Sequence, residues 1–480
     1  MAEAVAKKDK NVLYFIIYCI IAALGWIIPP VAPITPEGMH LLGIFVAAIF
    51  GWSVTSEVWP SFLTFLLIPF TGLADLAAVM AASWGSDTGF FMILIMIFVA
   101  FMESTGTTSY VAAYLLTRKI LLGHPWRLIF MIFLVAWVLS TLCGNMPGMF
   151  ITWGFIYKIC GILGYKPFDK FANLMVFGVA VMGALSLSTA PWHGNALVIL
   201  NAYMASSGTT INYVHYLAYT IPVGIFSILG FLLLCKFLFR LDVSRLQNLD
   251  PNVFDEKDRT LTTERLIALV SLLVLILALV IPSLLPKDNI VAVISAKMGL
   301  SLKAAALFVV LSLIRVDGKQ IFNFGQLASR CLPLNMMVMV ICILTFVALL
   351  GKPEAGISAF LGAVFTPMFQ DVSVIVLFIL VLLITVFLTN FMINMVVAVI
   401  MISATLPIAA SLGVDPLQIV YLITVSCTIA FMLPASSAAS CVLFANTEWV
   451  RAKDVYTYAV PTIILMAIVA LLWNLVIFMF

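Results

Sequence analysis

The sequence predicts an all-α polytopic membrane protein, and three observations support that prediction. Apolar residues make up 64% of the 480 residues and charged residues only 9%, whereas soluble domains are about 25% charged. The apolar residues form continuous runs such as residues 90–102, which excludes a barrel of alternating apolar and polar strands. Many runs approach the roughly 20 residues that a helix needs to cross a bilayer. No room remains for a sizeable soluble domain.

Residues 1–240 divide into a regular part followed by an interrupted part. The regular part, residues 11–121, contains four predicted spans and a short amphipathic helix, at residues 11–29, 39–54, 57–78, 88–103 and 108–121. The interrupted part contains a predicted re-entrant hairpin, a broken helix and a span, at residues 126–162, 171–205 and 214–238. The hairpin is predicted because two marginal apolar stretches are joined at residues 143–148 without a charged loop. The broken helix is predicted because its apolar run is too long for one crossing and contains the polar residues 188–195.

A polar cytoplasmic linker at residues 241–263 leads to a second half, residues 264–480, that repeats the plan. Its regular part, residues 264–351, has predicted spans at 264–284, 299–314 and 331–351, and a short piece follows at 357–366. Its interrupted part has a hairpin, a broken helix and a last span, at 371–411, 416–447 and 455–479. The sequence thus predicts about 11 transmembrane helices plus two re-entrant hairpins.

The two halves are related as repeats. Asn145 at the first hairpin tip and Asn390 at the second are 245 residues apart, and so are Asn201 and Asn446 in the broken helices. An odd number of crossings in each repeat inverts the second copy. Inverted repeats with broken helices are typical of transporters whose site lies between the halves.

The distribution of basic residues predicts the orientation of the chain. With the N-terminus in the cytoplasm, all but four of the 24 Lys and Arg residues fall on the cytoplasmic side, the exceptions being Lys287, Lys297, Lys303 and Lys352. The same topology makes the C-terminus extracellular. We therefore predict a multi-pass protein of the plasma membrane, with the lipid bilayer as its surroundings and no nucleic-acid partner, because no basic block is present.

The candidate site lies at four polar interruptions, residues 144–148, 188–195, 388–391 and 433–440. An unwound backbone at membrane depth must be satisfied by protein, water or ligand, and the N-termini of half-helices favour negative charge. Acidic residues fall near predicted helix ends, which disfavours a cation or proton path. The ligand predicted is an anion. The residues that we predict to bind it are Gly144, Asn145, Thr189, His193, Asn195, Thr389, Asn390, Ser436, Ser437 and Ser440.

These residues also have purely structural interpretations. Gly144 and Gly148 form a small-xxx-small pattern that packs helices. The Asn at either tip could form a hydrogen bond between helices. His193 could be a buried structural side chain, or it could supply a positive charge to the anion. The serines could cap a half-helix. The presence of an Asn at the matching position of both tips favours the interpretation as a binding site.

Several other functions are excluded by what the sequence lacks. It contains no phosphate-binding Gly-Lys loop, metal-ligand cluster or nucleophile triad, so we expect no enzyme activity and no cofactor. The eight cysteines have no paired spacing and are interpreted as packing residues.

At these motifs the chain resembles the divalent anion/sodium symporter family, whose members carry dicarboxylates, citrate or sulfate. Residues 55–69 are similar to that family's Glu-x-x-Pro segment, and residues 430–444 to its stretch after the second hairpin. The resemblance implies a homodimer in which a scaffold domain supports a mobile transport domain, working as an elevator. It also implies a Ser-Asn-Thr motif at each tip. The corresponding residues here are Gly144, Asn145 and Met146, then Thr389, Asn390 and Phe391.

Both Asn residues of the motif are present, but three of the four hydroxyls are not. Their loss disfavours a sodium site, and the sequence therefore predicts sodium-independent exchange of dicarboxylates such as succinate, malate, fumarate and 2-oxoglutarate. One alternative is a sodium- or proton-coupled symporter of the same family. Another, from a different class, is the membrane channel subunit of an ion pump, which would require an ATPase partner.

Overall fold

The structure is a computed structural model that describes residues 2–55, 57–121, 123–192, 194–248, 259–286, 288–331, 334–350, 352–357, 359–360, 363, 373–391, 394–433 and 436–478. Its secondary structure is almost entirely helical, as the composition predicts. The helices of the first half are α1 Ala2–Ile27, α2 Pro36–Val54, α3 Trp59–Leu67, α4 Leu76–Ala82, α5 Asp87–Ser104, α6 Thr107–Leu116, α7 Pro125–Cys143, α8 Asn145–Leu163, α9 Lys170–Ser186, α10 Gly194–Ser207 and α11 Tyr213–Leu233. Those of the second half are α12 Thr263–Val280, α13 Ile290–Met298, α14 Ser301–Leu313, α15 Phe324–Cys331, α16 Leu334–Leu350, α17 Val374–Thr389, α18 Asn394–Leu412, α19 Pro416–Ser426, α20 Ala438–Ala445 and α21 Ala452–Ile477.

Short polar side chains define where many of these helices begin. Thr35, Ser86, Asn212 and Ser373 each accept a hydrogen bond from a backbone N–H two or three residues further on. These bonds satisfy donors that have no partner within the helix. The starts of α2, α5, α11 and α17 are therefore encoded locally.

Within the described residues, seven helices are long and apolar enough to cross a bilayer by length and composition: Asp87–Ser104, Pro125–Leu142, Asn145–Leu163, Tyr213–Leu238, Thr263–Val280, Asn394–Leu412 and Ala452–Ile477. The pair Ile290–Met298 and Ser301–Leu313, bent by 89°, passes the same criteria as a broken span. The chain is a multi-pass membrane protein. The number of eleven crossings and the division into two inverted repeats stay predictions.

One predicted span is interrupted in the structure, and another is extended by a bent helix before it. Residues 57–78 form α3, a 3-10 turn at Ile68–Thr71 and the start of α4, because Pro69 ends regular pairing and Gly72 takes a left-handed φ of 85°. The predicted span 299–314 agrees with α14 within two residues at each end, and α13 precedes it across a bend at Gly299, whose φ is 60°.

The bend before α14 is stabilised by one carboxylate. Asp87 at the start of α5 accepts from the backbone N–H of Leu300 (2.6 Å) and of Ser301 (2.9 Å), and from the Ser301 hydroxyl. A helix N-terminus thus receives its cap from a distant part of the chain.

A small β-hairpin follows α14, with Arg315 opposite Gln320 and Val316 opposite Lys319. Its turn is Asp317 and Gly318, both with positive φ, which is the signature of a type I′ turn. This hairpin and the amphipathic helix α15 precede the shorter apolar helix α16.

The buried apolar side chains that the structure describes form two clusters. The larger joins most helices of both halves from α5 to α21, whereas the smaller joins α1–α4 with α16. Helices α10 and α18 contribute to both, with Val198 of α10 and Met395, Val396 and Val399 of α18 in the smaller one. Helices α10 and α18 therefore lie where the two clusters meet. Helix α10 follows the first broken segment, and α18 follows the second hairpin tip.

Candidate functional site

The first hairpin turns sharply at a single glycine. Gly144 separates α7 from α8 with φ 91° and ψ 150°, a conformation that suits glycine alone. Immediately beyond the turn, Gly148 packs against Ser140 so closely that an added Cβ would lie 2.6 Å from the Ser140 Cα. The small residues bring the two helices together, and Asn145 becomes the first residue of α8.

The first interruption follows α9, and its backbone is held by side chains from two other helices. The indole Nε1 of Trp137 in α7 donates to the Thr189 hydroxyl at 3.0 Å. From α11, the Tyr216 hydroxyl donates to the Ser188 carbonyl and the Thr220 hydroxyl donates to the Thr189 carbonyl at 2.9 Å. These bonds satisfy polar groups that lipid would leave unpaired.

Asn195 lies in the first turn of α10 and is only 5% exposed. Its amide Nδ2 is buried and has no hydrogen-bond partner in the described part of the chain. Leaving a buried donor unpaired is costly, so such groups commonly serve a ligand or an ordered water. The neighbouring His193 lies outside the described residues, and its predicted role stays a prediction.

The second hairpin tip is tied to the second interruption. Asn390 Nδ2 donates to the carbonyls of Val386 (2.8 Å) and Ile429 (3.0 Å), and its Oδ1 accepts from the N–H of Met432 (3.0 Å). The Thr389 hydroxyl donates to the Cys427 carbonyl at 2.6 Å. Both side chains are buried. Together they form hydrogen bonds with backbone groups of the segment that follows α19, which ends at Ser426.

The three predicted serines are engaged with the local backbone. Ser437 is the N-cap of α20, accepting from the Ser440 N–H at 3.1 Å and donating to the Ala430 carbonyl at 2.7 Å. Ser436 and Ser440 both donate to the Leu433 carbonyl, at 2.7 and 2.6 Å. Their structural interpretation as capping groups fits these contacts.

The two interruptions meet at one side-chain contact. The hydroxyls of Ser188 and Thr428 lie 3.3 Å apart, 240 residues distant in sequence. The first tip approaches α9 just before its interruption, where the Asn145 carbonyl lies 3.7 Å from a Cβ built on Gly183. The structure thus links the two broken segments and the second tip in one polar network, and the first tip lies beside α9 at Gly183.

Several residues of this network were not predicted from the sequence. They are Ser188 and Thr428 between the breaks, and Trp137, Tyr216 and Thr220 around the first break. Thr428 stands inside an apolar stretch and Trp137 inside an ordinary apolar helix, so neither differs locally from a packing residue. Of these residues, only Ser188 could have been identified from the sequence, because it belongs to the polar interruption at residues 188–195.

The helices of the site carry no acidic side chain within them. Over α7–α10 and α17–α20, acidic residues occur only at the helix starts, where Asp169 precedes α9 and Asp415 caps α19. In the described residues no group of three or more His, Cys, Asp or Glu could hold a metal ion. The polar groups of the site are amides, hydroxyls and backbone N–H groups, which suit an anion.

We expect Trp137→Phe to lower the free energy of unfolding by about 1 to 2 kcal/mol, because the indole donor to Thr189 is lost. Trp153→Phe is the matched control, since its Nε1 donates to the Val176 carbonyl at 2.9 Å, away from the interruption. Thermal unfolding in detergent measures stability, and uptake into liposomes measures function. Similar losses of stability with a larger loss of uptake for Trp137→Phe are expected; equal uptake would contradict a role for Trp137 in holding the break.

Comparison with known proteins gives one family and a fold. The sequence profile of the family described as CitMHS, citrate transporter, matches residues 45–317, more than half of the chain. No curated protein sequence matches the chain.

Two solved structures share the fold at low sequence identity. The Alcanivorax borkumensis YdaH transporter has a TM-score of 0.52 and 16% identity, over 97% of this chain and 95% of that one. Neisseria gonorrhoeae MtrF, described among antimetabolite efflux pumps, has a TM-score of 0.54 and 14% identity, over 96% and 93%. At these low sequence identities, the two structures show only that this chain has a similar fold.

Proposed function

The chain belongs to the CitMHS citrate transporter family, and we propose that it carries C4 and C5 dicarboxylates and citrate across the plasma membrane. The substrate class joins the dicarboxylates predicted from the hairpin tips with the citrate of the family description. The observation that carries this proposal is the polar network at the two interruptions, whose helices contain no acidic side chain. A carboxylate anion is the ligand whose charge suits such a site.

The chemistry of the network supports binding of carboxylate oxygens. The buried Nδ2 of Asn195 offers donor hydrogens that no described residue accepts. Gly144 provides no side-chain cap for α8, and Pro147 has no N–H, so the N–H groups of Asn145 and Met146 are the uncapped donors at the start of that helix. The first feature offers amide hydrogens to an anion, and the second offers backbone N–H groups and the positive end of a helix dipole. The ten predicted residues remain the candidates for building the site, whether by contact with the anion or by holding the groups that contact it, with His193 included on its sequence position.

We propose exchange as the mode of transport. The tip motifs lack the hydroxyls that the resembling family uses around sodium, and the one retained, Thr389, donates to the Cys427 carbonyl. In an exchanger the bound anion satisfies the buried donors, and the empty site with its unpaired amide crosses poorly. An elevator movement and a homodimer are proposed on the resemblance alone.

The experiment uses purified protein in liposomes and measures uptake of radiolabelled succinate and citrate. We expect uptake only when the vesicles contain a di- or tricarboxylate, with no change when a sodium gradient is imposed. Uptake into vesicles without internal substrate, driven by sodium or by protons, would replace exchange by symport. Transport of neither anion under any gradient would contradict the proposed substrate class and favour the channel-subunit alternative.

A further inference from the structure

The two hairpin tips carry equivalent Asn residues in different states. Asn390 is 4% exposed and uses both amide hydrogens and its oxygen on backbone partners. Asn145 is partly exposed, and its side chain makes no hydrogen bond to the described residues. Their places also differ, because Asn145 begins a helix whereas Asn390 follows the last residue of one.

The same difference extends to the two broken segments. In the second half, Thr389, Ser436, Ser437 and Ser440 all donate to backbone carbonyls. In the first half, the Asn195 amide is buried without an acceptor. Among the predicted site residues that the structure describes, the fully buried amide donor without an acceptor therefore lies in the first half, and an anion binds donors.

The bonds of Asn390 also explain why it is a poor ligand for a carboxylate. To donate to an anion it must release the carbonyl of Val386 or of Ile429, which would leave a buried acceptor unpaired. Its oxygen carries partial negative charge and accepts from Met432. Asn195 has no such bond to break.

We infer that the two halves of the site have different tasks: the amides of Asn145 and Asn195 bind the carboxylate, whereas Thr389 and Asn390 are positioning residues that hold the unwound segment 427–433 to the second hairpin tip. This division rests on the proposed function, since it assigns the donors of the same anion site. It departs from the symmetric use of both tips that the resemblance implies. Thr389 and Asn390 together form a latch between the second hairpin tip and segment 427–433.

Binding of radiolabelled succinate and citrate to purified protein in nanodiscs tests the ligand side. We expect Asn195→Ala to raise the Kd at least about tenfold, the factor that one hydrogen bond to a charged group provides. Its thermal stability should not fall, because the wild-type amide has no protein partner to lose. Asn390→Ala should leave the Kd of the folded protein within about twofold while lowering the maximal uptake rate.

The latch has a reporter in the native sequence. Cys427 is fully buried, and its carbonyl accepts from Thr389. We expect Thr389→Val and Asn390→Ala to raise the rate of Cys427 alkylation, read by peptide mass spectrometry, at least about tenfold through local opening. Thr385→Val is the matched control, since this buried hydroxyl one turn earlier on α17 donates only to the Val381 carbonyl of its own helix.

A tenfold rise in Kd for Asn390→Ala with unchanged Cys427 alkylation would overturn the inference and make Asn390 a ligand. An unchanged Kd for Asn195→Ala would remove Asn195 as a donor to the anion. If the wild-type protein binds neither anion, the proposed function fails and the ligand assignment with it. Alkylation of Cys427 decides the latch in that case as well, because it needs no substrate.

Discussion

Gly148→Ala is expected to lower the free energy of unfolding by about 3 kcal/mol and to abolish most uptake, because the new methyl group would overlap the backbone of Ser140. A Cβ at Gly148 meets the Ser140 N–H nitrogen and lies 2.6 Å from its Cα, closer than the 3.0 Å that real Cβ atoms keep. Backbone atoms cannot rotate away, so α7 and α8 must separate. Thermal unfolding in detergent and liposome uptake measure the two effects.

Gly154→Ala on the same helix is the control, because a Cβ there meets nothing within 4 Å. Removing a helical glycine should raise stability by up to about 1 kcal/mol. The two substitutions are chemically identical and differ only in what the methyl group contacts. Equal effects at both positions would show that the close packing of the first hairpin is not required.

Gly224→Ala is expected to cost about 2 to 3 kcal/mol of stability and to reduce uptake by displacing the indole of Trp137. A Cβ at Gly224 on α11 would lie 2.6 Å from Cε2 of Trp137, and the ring is only 6% exposed. The ring cannot move without losing the bond from its Nε1 to Thr189. A substitution far from any ligand contact therefore acts on the first broken segment.

The double variant Gly224→Ala with Trp137→Phe isolates this pathway. The smaller phenylalanine ring leaves room for the methyl group, so the double variant should be more stable than the sum of the single effects by about 1 kcal/mol or more. Simple additivity in thermal unfolding would show that Gly224 acts elsewhere than on Trp137.

The sequence and the structure agree most closely where the signals are local. The first hairpin was predicted to turn at residues 143–148, and α7 and α8 meet at Gly144, the glycine of that interruption; its re-entrant character stays a prediction. The first broken helix was predicted to open at residues 188–195, and α9 ends at Ser186. Glycine, proline and polar residues in a short stretch were sufficient, because they alter the backbone of that stretch itself.

Agreement is weaker where a partner from another element decides the backbone. The second interruption was predicted at residues 433–440, yet α19 already ends at Ser426. The intervening segment is apolar and has no breaker, so nothing in its own sequence indicates the unwinding. Its carbonyls are bound by Thr389 and Asn390, which lie about forty residues earlier in the chain.

The composition and the spacing of apolar runs determined by themselves that this chain is a helical membrane protein, and the polar interruptions determined where a site was to be sought. Only the tertiary structure decided how those polar groups are used. It paired Ser188 with Thr428, saturated Asn390 and left the Asn195 amide without a partner. The physical reason is that a side chain's type fixes its capacity for hydrogen bonds, whereas the availability of those bonds to a ligand depends on which distant backbone groups the fold brings within reach.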